Sequence, residues 1–257
     1  MPRRARRKSK SGIYHIMLRG INRQDIFIDR EDYRSFLFTL ARAKKETGCR
    51  IFGYCLMRNH VHLLLQEGED PLESTMKRIG ASYVYWYNRK YKRTGHLFQD
   101  RFKSEPVEDD PYLLVVLRYI HNNPLVAGLV EKAGDYQWSS YNDYLVDSPS
   151  SDLTDTAFIL GIFDSDRARA RELFKQFSVK SNRDRCLEHD EYSRSYLSDN
   201  EIISIIKKHT SLDDPTTLRN ADNKVRDSLI RSLREEGATI RQLVKLTGIS
   251  KSIIERT

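Results

Sequence analysis

RIFGYCLMRNHVHLLLQ, residues 50–66, decides the fold. Two apolar runs, Arg50–Met57 and His60–Gln66, are parted only by Arg58-Asn59, a spacing that suits a tight β-hairpin. Side chains alternate along a strand, so His60 and His62 share one face while Val61, Leu63 and Leu65 point into an apolar layer on the other. Upstream, Ile13–Arg19 reads as a strand, with Ile13, His15 and Met17 on one face and Tyr14, Ile16 and Leu18 on the other. Gly20 and Asn22 break it. A helix follows, with Asp29 as N-cap, Tyr33, Phe36, Leu37 and Leu40 on the helical period, and Gly48 as its stop.

Downstream, Asp70-Pro71 opens a second helix, with Glu73 placed for a capping box, and that helix runs to about Lys92. His96–Val107 reads as another strand or hairpin. A third helix opens at Asp110-Pro111 and is stopped by Pro124. The order is strand, helix, two strands, helix, strand, helix. This predicts an α+β fold, a ferredoxin-like βαββαβ antiparallel sheet with one added helix. Helices would cover one face and leave the other for a ligand.

The chain has 257 residues, enough for a moderate domain and a smaller one. No apolar run approaches the ~20 residues of a membrane span, and a mean hydropathy of −0.63 agrees. The net charge is +8, and all of it lies in residues 1–146, which hold 25 basic and 17 acidic side chains against 19 and 19 beyond. A polyanionic partner for the first part follows. Cys49, Cys55 and Cys186 make no CxxC pair, so neither a disulfide framework nor a cysteine zinc site is indicated, and a reducing cytoplasm is the natural setting. The expected organisation is a basic arm at 1–12, the sheet domain at 13–146, a linker and helical extension at 147–197, and a helical module at 198–257.

Two imidazoles side by side on a sheet can chelate one divalent cation, although a bare His-x-His pair also occurs as ordinary strand histidines. On the third helix, Tyr119 and Asn123 are four apart and share a face. They read either as a phenol beside an amide oxygen that completes a metal site, or as a half-buried tyrosine and a capping asparagine before Pro124. Metal beside tyrosine has a chemical logic. A phenol with an ordinary pKa near 10 is a poor nucleophile at neutral pH. A cation on the phosphate makes phosphorus more electrophilic, and a phosphotyrosine intermediate keeps the bond energy for rejoining.

Five ordered blocks extend these residues: Tyr14-His15-Ile16 with Arg19-Gly20-Ile21-Asn22-Arg23; Tyr54-Cys55-Leu56-Met57 running into Asn59-His60-Val61-His62; Gly95 to Phe102 (GHLFQDRF); Tyr119 to Pro124 (YIHNNP); and Trp138-Ser139-Ser140-Tyr141. With them the chain resembles the single-tyrosine transposases of the HUH nuclease superfamily, and more closely the REP-associated tyrosine transposases. The resemblance covers residues 13–145. It implies that His60 and His62 hold Mg²⁺ or Mn²⁺. It further implies that Tyr119 cuts single-stranded or hairpin DNA, keeping the 5′ phosphate and freeing a 3′ hydroxyl. Related transposases carry a glutamine as third ligand where this chain has Asn123, one methylene shorter.

Arg89, Lys90, Lys92, Arg93, Arg101 and Lys103 interleave with Tyr91, His96, Phe98 and Phe102, a mixture suited to phosphates and unpaired bases. Arg19 and Arg23 join them as expected DNA contacts. Tyr83, Tyr87 and Tyr91 form a stripe at helical spacing that reads first as a packed aromatic face. Near the C-terminus, a helix at Ile240–Thr247, a turn at Gly248 and a helix from Ser250 match helix-turn-helix spacing, with Leu243, Val244, Ile249, Ile253 and Ile254 as its small core. The principal reading is a metal-dependent DNA strand transferase, cytoplasmic and nucleoid-associated, with no membrane partner. The competing readings are a catalytically idle DNA- or RNA-binding regulator and a His-x-His hydrolase of a small substrate. Monomer and homodimer both stay open, and with them whether Tyr119 serves its own chain's histidines.

Overall fold

The computed structural model describes residues 6–147, 152–180, 186, 199–210, 215–236, 238 and 240–256. In chain order its first unit holds β1 (Ile13–Arg19), α1 (Arg30–Thr47), β2 (Arg50–Met57), β3 (His60–Gln66), α2 (Leu72–Lys90), β4 (Lys103–Pro106), α3 (Asp110–Val126), α4 (Thr156–Phe163) and α5 (Arg167–Val179). The strands form one antiparallel sheet in the order β2-β3-β1-β4, which is the ferredoxin-like βαββαβ arrangement. The β1–β3 register sets Met17 opposite His62 and Arg19 opposite His60.

Local chemistry fixes the helix ends. The Asp29 carboxylate accepts from the Glu31 and Asp32 backbone, and Asp32 accepts in return from Asp29 N–H, a complete capping box worth about 1 kcal/mol. Gly48 ends α1 at φ 65°, where an L side chain would be strained. The capping box expected at Asp70 does not form. Leu72 N–H donates instead to the Glu67 carboxylate at 2.6 Å, and Asp70 pairs with Arg78. Nor does Pro124 stop α3. The helix carries it and runs on to Val126, because Ala127 N–H still closes onto Asn123 O at 3.0 Å. The strand expected over His96–Val107 shrinks to Lys103–Pro106. Phe98 pairs with Gly20 through an isolated bridge outside the named strands, and Leu97 turns inward to be buried.

Two cores sandwich the sheet. Tyr14, Ile16, Leu18, Val61, Leu63 and Leu65 meet Phe36 and Leu40 of α1 and Met76, Ile79 and Tyr83 of α2. Ile13, Phe52, Met57 and Leu64 meet Leu113, Val116, Leu117 and Ile120 of α3 and Phe174 of α5. The second face is therefore not left open as the sequence suggests. The added helix is apolar enough to need its own layer, and α4 and α5 extend that layer.

The expected linker lies partly outside the described residues, at 148–151. Its far end is tied down: Arg50 pairs with Asp155 at 2.7 Å, and Asp155 N–H donates to Ile51 O. The described part of the basic arm is also held, since Lys10 and Ser11 N–H donate to Glu108. Cys49, Cys55 and Cys186 are buried free thiols.

The compact units are Met1–Leu187 and Glu188–Thr257. The second unit contains α6 (Asp199–Thr210), a 3-10 turn at Pro215–Asn220, α7 (Asn223–Glu235), α8 (Ile240–Thr247) and α9 (Lys251–Arg256). Its core gathers Ile202, Ile206, Leu218, Ile230, Leu233, Leu243, Ile249 and Ile254. Of the expected small core, Val244 is half-buried and Ile253 is exposed; successive helix residues point about 100° apart, and Ile254 takes the inward position on α9. Most of the poorly patterned stretch 179–195 lies outside the described residues. Among the described residues no helix is long and apolar enough to cross a membrane.

Candidate active site

Strand alternation places His60 and His62 together on the α3 side of the sheet, with ring centroids 5.0 Å apart and the rings perpendicular. His60 is nearly buried and His62 wholly so. Each imidazole is oriented through its Nδ1. The Asn59 amide nitrogen donates to Arg23 O at 3.3 Å, which turns its oxygen toward His60 Nδ1 at 2.6 Å. The carbonyl oxygen can only accept, so the His60 proton sits on Nδ1 and the lone pair on Nε2. His62 Nδ1 lies 3.1 Å from His15 Nε2 on β1.

Helix α3 delivers Tyr119 to the same spot. Asp109 caps its start by accepting from Tyr112 N–H at 2.8 Å, and its apolar stripe beds on β2. The half-buried Tyr119 ring meets His62 edge-on at 5.7 Å and His15 at 5.8 Å. One turn on, Asn123 is buried and its amide nitrogen donates to Tyr119 O at 3.3 Å. Phenol and imidazoles of a single chain thus lie against one another. Among the described residues no group of three or more His, Cys, Asp or Glu side chains is arranged to hold a metal.

The cationic residues separate into two sets. Arg19 pairs across the sheet with His60, and Lys103 with Met17, so both project on the histidine face. Arg23 lies in the turn whose carbonyl anchors Asn59, at φ 58°, a left-handed conformation costly for a side chain that long. Arg89, Lys90, Lys92 and Arg93 lie at the C-terminal end of α2, and Arg101 lies in the segment before β4. Arg89, Lys92, Arg101 and Lys103 are exposed. Arg93 donates to the Gln24 side chain and sits over the Tyr87 ring. Lys90 is committed elsewhere: its ammonium is 2.8 Å from Asp29, 2.9 Å from Glu31 and 2.8 Å from buried Asp32, which raises its pKa. It ties α2 to α1. Tyr83 and Tyr87 are buried as the stripe predicts, their hydroxyls donating to Ile26 O and Asp25 O, so neither ring is open to a base.

Sequence reasoning placed His15 on a face but gave it no task. The signal was there in the period of two along β1, which puts His15 on the side that the β1–β3 register assigns to His62. Asn59 was likewise quoted only as part of a motif. Its role depends on the turn at Arg23, which no local pattern announces.

Residues 8–123 match the family described as "Transposase IS200 like". A Haemophilus influenzae protein described as a REP-associated tyrosine transposase is 28% identical over 99 residues, which cover 34% of this chain and 56% of that protein. The chain thus spans about half the length of that curated relative. The structure of a REP-associated tyrosine transposase bound to a REP hairpin superposes with a TM-score of 0.51 at 18% identity, over 60% of this chain and 94% of the other. At that identity the likeness is one of fold. A transposase structure from Deinococcus radiodurans, 16% identical over 47% of this chain and 97% of its own, has a TM-score of 0.34.

Proposed function

We propose that the chain, whose residues 8–123 match the IS200-like transposase family, cuts and rejoins single-stranded DNA beside hairpins, with Tyr119 as nucleophile. The observation that carries this reading is the contact of the Tyr119 ring with His62 and His15 of the same chain. It favours a Tyr119 that serves its own histidines.

In the proposed reaction the Tyr119 oxygen attacks phosphorus and gives up its proton. The bond from phosphorus to the 3′ oxygen breaks, that oxygen takes a proton as a 3′ hydroxyl, and the 5′ phosphate stays on tyrosine. A later 3′ hydroxyl attacks the phosphotyrosine and restores the phenol. His60 and His62 suit a divalent cation: both are imidazoles held through Nδ1, the arrangement in which Nε2 ligates. Asn123 Oδ1 is the proposed third donor, its amide nitrogen being used on Tyr119 O. A Mg²⁺ or Mn²⁺ ion bound there supplies Lewis-acid polarisation of the scissile phosphate. Arg19, Arg23 and Lys103 would seat the cleaved strand near the histidines, and Arg89, Lys92, Arg93 and Arg101 would grip hairpin phosphates beyond it.

Because phosphate contacts supply most of the affinity, binding and cutting should separate. His60→Ala or His62→Ala should retain gel-shift binding of a hairpin oligonucleotide and lose cleavage in Mn²⁺. Folded variants that lose both together would contradict the assignment.

A further inference from the structure

His15 is the polar residue the proposed chemistry does not use. It is wholly buried in the middle of β1, flanked on its own face by the buried apolar side chains of Ile13 and Met17. An apolar residue would cost nothing there, whereas a buried imidazole must find partners. It has them on both sides. Its Nε2 is 3.1 Å from His62 Nδ1, and the two rings are 5.3 Å apart. Its Nδ1 is 4.0 Å from Glu105 Oε2, and Glu105 is its cross-strand neighbour on β4. The Tyr112 phenol, in the first turn of α3, has its pKa raised first by burial and then by the Glu105 carboxylate, which sets Glu105 beside α3.

We infer that His15, backed by Glu105, holds the His62 imidazole with its proton on Nδ1 and so leaves Nε2 as the ligating nitrogen. The inference rests on the strand-transferase reading, because it gives His62 a cation to hold. At 4.0 Å the Glu105 contact is too long for a direct hydrogen bond. Its field nonetheless favours the His15 tautomer with the proton on Nδ1, which makes His15 Nε2 an acceptor. His62 must then donate from its own Nδ1. His15 and Glu105 are positioning residues: neither touches the scissile phosphate in this scheme. Such outer partners of a ligating histidine typically carry about 10–100-fold in metal affinity.

Two readouts test this, neither of which needs turnover. Long-range ¹H–¹⁵N spectra report the His62 tautomer in the metal-free protein, and Mn²⁺ titration followed by electron paramagnetic resonance reports affinity. Wild type should show one His62 tautomer, protonated at Nδ1. His15→Phe should mix the tautomers and weaken Mn²⁺ uptake about 10–100-fold. His15→Gln, whose side-chain oxygen can accept the same proton, should restore most of both. Should His15→Phe fail to fold, Glu105→Leu at the sheet edge carries the test, with a smaller loss in the same direction. Wild-type protein that takes up no Mn²⁺ would overturn the transferase reading and this inference with it. Uptake that His15→Phe or Glu105→Leu leaves within about twofold, with the His62 tautomer unchanged, would overturn the inference alone.

Discussion

Gly53 and Leu117 set how closely α3 lies on the sheet: a Cβ at Gly53 would stand 2.5 Å from Leu117 Cδ1. A side chain on β2 at this point forces the buried Leu117 side chain to move within the α3 interface, and Tyr119 follows two residues after Leu117 on the same helix. Misplacing a reacting group by about 1 Å can cost on the order of 10²-fold in rate. Gly53→Ala should therefore fold, bind hairpin DNA and take up Mn²⁺, yet form the covalent adduct about 10²-fold more slowly. Adding Leu117→Ala should recover part of the loss by clearing the clash. An unchanged rate in Gly53→Ala would show that α3 tolerates the shift.

His121 makes stability depend on pH. It is wholly buried, its Nε2 lies 2.9 Å from Ser140 Oγ, and burial pushes its pKa down to about 3 from the ordinary 6.5. The folded chain keeps it neutral while the unfolded chain protonates it below about 6.5. Its contribution is complete above that pH and is lost as pH falls toward 3, by at most about 1.4 kcal/mol per unit. Melting temperature should fall between about pH 6.5 and 5, above the ordinary carboxylate range, and His121→Gln should flatten that slope. Equal slopes in both proteins would contradict the assignment.

The boundary of the catalytic unit can be tested by truncation. Phe174 of α5 stacks on Tyr144 at 4.7 Å and meets His121 at 6.0 Å, closing the second core. A chain ending at residue 146 exposes that core and should melt lower than one ending at 187. The 1–187 protein should form the adduct at the full-length rate. Equal stability of the two truncations would make α4 and α5 dispensable cover.

The hairpin and the caps of α1 were legible because each rests on contacts near in sequence, whereas the four-strand arrangement, whose β1–β3 and β1–β4 pairings are distant in sequence, was read from the order of the elements. Alternation sets the faces of β3, and Asp29 and Gly48 mark their helix ends unaided. The departures come from competing charged groups, one near in sequence and others far from it. Asp70 lost its capping role to Glu67, whose carboxylate reaches Leu72 N–H first. Lys90 looked like a phosphate contact until folding brought Asp29, Glu31 and Asp32 around it. The histidine pair and Tyr119 were legible through their motif and the family resemblance. His15 was not, because its meaning depends on which strand lies beside it. Only the order β2-β3-β1-β4 puts β1 between His62 and Glu105.

Peptide mapping of a trapped adduct shows whether Tyr119 becomes covalently joined to a 5′ phosphate. Wild-type protein incubated with Mn²⁺ and a hairpin oligonucleotide carrying a single-stranded flank should be denatured, digested and analysed by mass spectrometry. A 5′-phosphonucleotide is expected on the peptide containing Tyr119, and no adduct from Tyr119→Phe, which keeps the ring and its packing against His15 and His62. An adduct on Tyr83, Tyr87 or Tyr91, or one that survives Tyr119→Phe, would contradict Tyr119 as the nucleophile.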